Sequence, residues 1–430
     1  MRDIVIFAIV GFALLKVFSR PYIGIYLWTW LSLMNPHRLT WGPAYNFPFA
    51  AVVAGVTLIG ILMTKEPKRM IWTRETVLLL LFVLWMISTT LSAFNPDAAF
   101  EYLDRVLKIE IFVFLTIFLI TDRQKLHGLI WVTALSLGFY GVKGGIFTLL
   151  GGGVSHVLGP DDSFIGENNA LALALIMTVP LIAYLFFQEK RPWVRYGLGA
   201  AMFFCGLSIF GSQSRGALLG VVAMAVFLWL KSRRKALVGT LLLVVGVTVL
   251  LLMPDAWWER MGTIGGYQQD ESAQGRINAW WTAWNVATHN ILGGGFKMFS
   301  RETFLIYAPN PNIVFDAHSI YFQVMGEHGF IGLFLFILIA LLTWLRCGEI
   351  IRMCRGDLNR RWAADLAGML QVSIIGFAVS GAFLSLAYFD YYYHLIAITL
   401  ITWSLAREGA PAKAPRRRVT RSARPSTPPA

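Results

Sequence analysis

Cysteine is scarce: of 430 residues only Cys205, Cys347 and Cys354 carry thiols, one inside an apolar run and two in a basic stretch. Three such positions make no disulfide framework and no cysteine-built metal centre. Charge is scarce as well, at 14% Asp, Glu, Lys and Arg, against about 25% in ordinary soluble domains. Acid is the rarer sign, with 24 Asp and Glu against 37 Lys and Arg and a formal net charge of +13. Carboxylates spaced as metal ligands are missing: Asp161-Asp162 lacks a spaced partner, and residues 35–48 hold no carboxylate. Neither a metal nor a cofactor is therefore expected. The sequence also shows no convincing internal repeat and no soluble domain. What it has in excess is apolar surface, 57% hydrophobic residues with a mean hydropathy of +0.61. These values predict an all-α polytopic membrane protein.

The positive excess lies in short clusters between apolar runs, a pattern that fits cytoplasmic topology signals beside anionic lipid and not a nucleic-acid surface. A bilayer core of about 30 Å takes roughly 20 apolar helical residues. Runs of that kind cover 49–64, 76–93, 105–121, 126–150, 169–187, 194–211, 215–230, 236–253, 319–346, 365–386 and 390–406. Basic clusters follow every second run, around Lys65–Arg74, Arg123–Lys125, Lys190–Arg195, Lys231–Lys235 and Arg346–Arg361. Those ends, and the C-terminus, are expected in the cytoplasm. Met1 to Phe18 reads as a retained anchor, because Arg20-Pro21 stands where small cleavage-site residues belong. Residues 4–18 and 21–34 are each short for a crossing and are divided by Pro21. Read as one broken span they give about 12 transmembrane helices with the N-terminus inside; two short spans give 13. The expected division is helices over 1–253, a long periplasmic loop with short amphipathic interfacial helices over 254–317, further helices over 318–406, and a disordered basic cytoplasmic tail over 407–430.

Four stretches on the predicted outer face could carry chemistry. In the long loop, residues 275–286 read as a short helix, with Arg276, Trp280 and Trp284 at i, i+4 and i+8 on one face. That face is either a Trp anchor with a snorkelling Arg or a rigid platform holding a guanidinium at headgroup depth, where it can grip phosphate oxygens through paired hydrogen bonds. His318 at the mouth of the next run is either a solvated cap or a base for neutral pH. Glu327 and His328 lie deeper, so residues 318–328 are expected to form a separate short helix that ends at Gly329. Arg215 follows the Gly211–Ser214 turn at a helix start, where an anion site and a merely tolerated charge are both open. Asn169, where the 151–168 loop enters a helix, is a candidate ligand or simply an N-cap. Lys143 reads as a lone buried cation, paired or snorkelling, and is the weakest candidate.

At these positions the sequence resembles the O-antigen ligase and polymerase superfamily. The resemblance rests on Asn169, on Ser214-Arg215-Gly216, on Gly275-Arg276 with Trp280, and on His318-Ser319 through Glu327, Gly329 and Gly332. Arg20-Pro21-Tyr22-Ile23-Gly24 and Met34-Asn35-Pro36-His37-Arg38 look like the branch of ligases found beside exosortase systems, and the whole is most similar to a lipopolysaccharide O-antigen ligase of the WaaL type. The resemblance implies a GT-C-like glycosyltransferase of a bacterial inner membrane, with its site facing the periplasm. It also implies an undecaprenyl-diphosphate-linked glycan as donor and lipid A-core oligosaccharide as acceptor; the chemistry of the residues then points to His318 as general base and Arg215 and Arg276 on the diphosphate. Transfer would be inverting and metal-independent. An O-antigen polymerase or a protein O-oligosaccharyltransferase shares these motifs, and a lipid-linked glycan transporter is the non-enzymatic alternative.

Overall fold

The computed structural model describes residues 1–231, 235–252, 258 and 271–409, and among these it contains fifteen α-helices and no strand. The chain opens with α1 (Arg2–Val17), α2 (Tyr22–Met34), a 3-10 turn (Pro36–Leu39) and α3 (Phe49–Met63). Next come α4 (Arg74–Thr90), α5 (Pro96–Leu119), α6 (Arg123–Leu150), α7 (Asn168–Gln188), α8 (Pro192–Gly211), α9 (Arg215–Lys231) and α10 (Lys235–Leu252). The remainder is α11 (Glu271–His289), α12 (Arg301–Tyr307), α13 (Ile320–Met353), α14 (Arg361–Ser380) and α15 (Asp390–Glu408). Among the described residues five helices, α6, α7, α8, α13 and α14 with its flanking turns, are long and apolar enough to cross a membrane.

Helix starts follow local chemistry. Thr73, Asn95, Asp122 and Ser300 each accept a backbone N–H three residues on, satisfying donors that a helix start leaves open. Asn95 and Pro96 begin α5 nine residues before its apolar run, so the helix has a charged outer turn holding Asp97, Glu101, Asp104, Arg105 and Lys108. Between helices, small residues allow close approach. Gly141, Gly144 and Gly145 of α6 lie directly against Cys205, Ser208 and Phe204 of α8. The innermost helix is α15, whose residues from Asp390 to Thr402 are all buried.

The two ends of the bundle differ. At one end the basic clusters meet: Lys125 pairs with Glu66 at 3.2 Å, Arg69 with Glu408, and Arg123 lies over the Trp362 ring. At the other end Arg38 meets Asp162, Phe94 N–H donates to Gly294, and Gln213 donates to the carbonyls of Gly153 and Val154. Alternate loops thus sort to opposite ends, as the basic pattern requires.

The beginning of the chain is not one broken span. Arg2 donates to the Leu39 carbonyl, Asp3 accepts from Ala44 N–H, and Gly60 of α3 abuts the Val17 carbonyl at the far end of α1. Helices α1 and α2 therefore form an antiparallel hairpin that turns at 18–21, where Pro21 ends the run and begins the next helix. This replaces the arrangement behind the count of about 12. Of the expected outer loop, residues 254–257 and 259–270 lie outside the described residues, as do 410–430 of the expected disordered tail.

Candidate active site

The expected short helix over 318–328 is present as residues 320–328, with Ser319 as its N-cap and His318 outside it. Gly329 adopts φ 67, ψ −173 inside α13 and breaks it. The break frees carbonyls, and each finds a donor: Gly294 N–H bonds Gly326, Gly295 N–H bonds Glu327, and Trp85 Nε1 bonds His328 at 2.8 Å. A side chain at Gly329 would meet the Ile291 carbonyl at 2.2 Å, so both the conformation and the space demand glycine. Glu327 is buried but paired, accepting Lys297 N–H at 3.0 Å and Tyr388 Oη–H at 2.7 Å. It braces the outer loops against α15 and is not exposed to reactants.

His318 stands at the start of this brace in a left-handed conformation, φ 42. A non-glycine residue holds that geometry only when its surroundings over-determine it. Two contacts do so. The Ser385 hydroxyl accepts His318 N–H at 2.8 Å, and Trp280 Nε1 donates to the Ala317 carbonyl at 2.7 Å while its ring stacks on Phe322 at 4.9 Å. Trp280 thereby ties α11 to the backbone of this brace. Its polar atom is committed to the backbone beside His318. Burial pushes the half-buried His318 imidazole below its ordinary pKa, the Arg276 charge pushes the same way, and Asp316 and Glu167 oppose both. The ring is accordingly neutral, and able to accept a proton, at neutral pH.

Helix α11 is longer than the predicted 275–286 helix and packs on the first part of α13. Gly275 lies against the Phe315 ring, and Asn278 donates to the carbonyls of Asn310 and Ile313 at 2.8 Å each while accepting Asn310 N–H. These contacts fix the 308–318 strand of chain along α11 and set Arg276 where its charge reaches His318.

Arg215 arrives by another route. Ser214 caps α9 by accepting Ala217 N–H at 3.1 Å, and Gln213 takes φ 54 in the tight turn. Gly216 packs on Phe383, Gly381 packs on Ile320, and Ser385 holds His318. The 381–385 segment is therefore a shared bracket for the Ser-Arg-Gly turn and the histidine. Sequence reading offered no hint of Ser385, which lies in an apolar stretch.

Two of the sequence candidates sit differently from expectation. Asn169 is not the N-cap of α7; Glu167 occupies that position without a side-chain cap, and the neighbouring Asn168 donates to the Ser212 carbonyl at 2.7 Å. Asn168 thus ties α7 to the Arg215 turn, leaving Asn169 half-buried beside it with no side-chain hydrogen bond among the described residues. Lys143 is not buried. Its side chain is exposed on α6, whose glycines face α8, and no contact among the described residues links it to His318. Asp316, which sequence reading passed over, acts electrostatically on His318, Tyr102 and Glu327. Among the described residues no three His, Cys, Asp or Glu side chains gather as metal ligands.

Two families match this architecture. Residues 1–190 match a family of unknown function, DUF5935, and residues 200–337 match the family described as O-Antigen ligase. No curated protein matches the chain. The second match spans α8 to the first part of α13 and so contains Arg215, Arg276 and His318. Residues 200–337 thus carry an O-antigen ligase domain, and this domain together with the apolar helices points to an integral membrane protein.

Proposed function

We propose that the protein is a membrane glycosyltransferase that moves a glycan from undecaprenyl diphosphate to a hydroxyl of lipid A-core oligosaccharide, on the periplasmic side of a bacterial inner membrane. The observation that carries this reading is convergence: Arg276 acts on the His318 imidazole, while the Arg215 turn and His318 seat on the same 381–385 segment. His318 would take the acceptor hydroxyl proton as the oxygen attacks the anomeric carbon. The bond from that carbon to the diphosphate oxygen breaks, and Arg215 and Arg276 stabilise the charge gathering there. One displacement inverts the anomeric centre. Two guanidiniums offset the diphosphate charge without a divalent ion.

A lipid-linked donor also needs an apolar path. A groove of about 350 Å³ starts at Ile320 and Tyr321, next to His318, and continues past Phe336 and Ala340 to Trp344 between α9, α13 and α14. Beyond the Gly329 break, its lining on α13 runs from Phe336 to Trp344, roughly 12 Å of helix at 1.5 Å per residue, and is apolar. It suits a polyprenyl chain. The antiparallel α1–α2 hairpin raises the proposed number of crossings from about 12 to 13 in a GT-C-like bundle, with the basic-cluster end and C-terminus in the cytoplasm.

The test is glycan transfer by purified protein in liposomes. His318→Ala, Arg215→Ala and Arg276→Ala should each lower transfer by at least about 100-fold, the scale of losing a base or a charge-stabilising donor. Arg→Lys at 215 and 276 should also be damaging, because an ammonium cannot reproduce the paired contacts. Near-normal transfer by all three alanine variants at normal expression would overturn the assignment. Dependence on lipid A-core, and not on a second lipid-linked glycan or a protein, separates ligation from polymerisation and protein glycosylation.

A further inference from the structure

A second cavity lies wholly in the N-terminal region, among residues that carry no assigned role. It measures about 390 Å³ and is lined by Trp28, Phe49, Arg38, Arg105, Lys108 and Phe164, among others. That volume falls within the ordinary range for small-molecule sites. Its lining residues include three permanent cations and no carboxylate.

The two guanidiniums are pre-oriented. Arg38 lies over the Tyr45 ring at 4.6 Å, and Arg105 over the Phe164 ring at 3.9 Å. Stacking occupies the flat face of a guanidinium and leaves its in-plane N–H donors pointing outward. Arg38 spends one donor on Asp162 at 3.5 Å, and Lys108 pairs with Asp104, both at exposed positions. Such surface pairs contribute about 0–1 kcal/mol and yield readily to a stronger anion. Arg105 has no carboxylate partner among the described residues. The adjacent His37 is held neutral, its pKa pushed down to about 4 by burial and by Arg38, and its buried Nδ1 has no hydrogen-bond partner among the described residues.

The cavity adjoins the proposed reaction centre. Phe164, under Arg105, touches Phe389 at a centroid distance of 5.9 Å, in the loop that follows the 381–385 bracket. Tyr102, one turn before Arg105, feels both Arg105 and Asp316, and Asp316 acts on His318.

We propose that this pocket receives a phosphate group of the acceptor glycolipid, held in plane by Arg38 and Arg105 with Lys108 at its rim, while the Arg215 and Arg276 side holds the donor diphosphate. The inference rests on the transferase reading for the word acceptor, but the site itself does not. A two-substrate transferase needs two anion subsites if both substrates are phosphorylated. The α1–α6 half supplies the second, which gives the region matched only to a family of unknown function a specific task. The aromatic floor of Trp28 and Phe49 offers apolar contact to the sugar or acyl part beside the phosphate.

The test is direct binding of lipid A and of enzymatically dephosphorylated lipid A to the purified full-length protein in detergent, by native mass spectrometry, with phosphatidylglycerol as competitor. Wild-type protein should prefer the phosphorylated form by at least about 10-fold, the scale of a charge-assisted bidentate contact. Arg105→Gln and Arg38→Gln should each erase most of that preference, and Arg105→Lys should retain only part of it. An equal preference in both Gln variants would overturn the site. Displacement by equimolar phosphatidylglycerol would overturn the acceptor assignment in favour of a general lipid-headgroup site. Because binding requires no turnover, these results stand apart from whether the His318 variant transfers glycan. In the transfer assay Arg105→Gln should raise KM for the acceptor and leave KM for the donor unchanged; the reverse split would refute the placement.

Discussion

Trp280→Phe tests how the site is held together. The substitution keeps an aromatic ring able to stack on Phe322, and removes the Nε1–H that donates to the Ala317 carbonyl at 2.7 Å together with part of the half-buried indole. A hydrogen bond of this kind contributes about 1 kcal/mol net, and a carbonyl left unpaired raises the cost to about 1–3 kcal/mol. The left-handed His318 backbone stores strain of about 1–3 kcal/mol. Two contacts oppose that strain, the Trp280 bond and the Ser385 bond to His318 N–H. With one removed the terms nearly balance, and a relaxed conformer with the imidazole misplaced gains population. At about 1.4 kcal/mol per tenfold, kcat should fall roughly 10- to 100-fold while KM for the donor changes little. Overall stability should drop by about 1–3 kcal/mol, combining the lost hydrogen bond with the smaller ring. The assay is steady-state transfer in liposomes, with thermal unfolding in detergent alongside. Ser385→Ala removes the other contact, and the double variant should lose less than the sum of the singles, because one lost contact already releases the backbone. A kcat within twofold of wild type in both single variants would refute the claim that strain at His318 is what Trp280 and Ser385 maintain.

Other outcomes follow from the same geometry. Since a base works only when unprotonated and burial with Arg276 depresses the His318 pKa, transfer should persist somewhat below pH 6.5 and fail at lower pH. Asp316→Asn removes an influence that raises this pKa, so the acid limb of the pH profile should move further down; an upward move in a pH–rate titration would contradict the placement. Gly329→Ala should destabilise the protein by several kcal/mol by thermal unfolding, combining about 1–2 kcal/mol for the left-handed backbone with a collision at the Ile291 carbonyl. Transfer should continue in excess chelator, because the proposed charge stabilisation is carried by Arg215 and Arg276; abolition by chelator, restored by a divalent ion, would defeat that mechanism.

Most of the helices were legible as runs of apolar residues, because lipid demands about 20 of them in a row and basic residues mark alternate ends. The predicted 169–187, 194–211 and 215–230 runs agree with α7, α8 and α9 to within a few residues. Where hydropathy misled, the helix had reasons other than lipid. The charged outer turn of α5 is set by the Asn95 cap and Pro96, and the α1–α2 hairpin is set by contacts of Arg2 and Asp3 with residues 39 and 44, which no local window contains.

The candidate site divides the same way. Arg215, Arg276 and His318 could be picked from sequence because a charge or an imidazole beside an apolar run is costly and needs a reason. The Glu327-His328-Gly329 run could be read as a helix end for the same cause, and Gly329 does break α13 there. Their assembly was not readable. Ser385, Asn168 and Asp316 act through space, on partners 67, 44 and two residues away respectively, and nothing in their local composition distinguishes them. Lys143 and Trp280 show the converse: one is exposed on α6 and the other donates to the Ala317 carbonyl, placements that no local window contains. Sequence by itself determined the class of solvent, the helices and the residues too costly to be idle. Only the tertiary structure decided which of them meet, because in a helical bundle neighbours are chosen by packing between distant segments, and packing leaves no periodic trace in the chain.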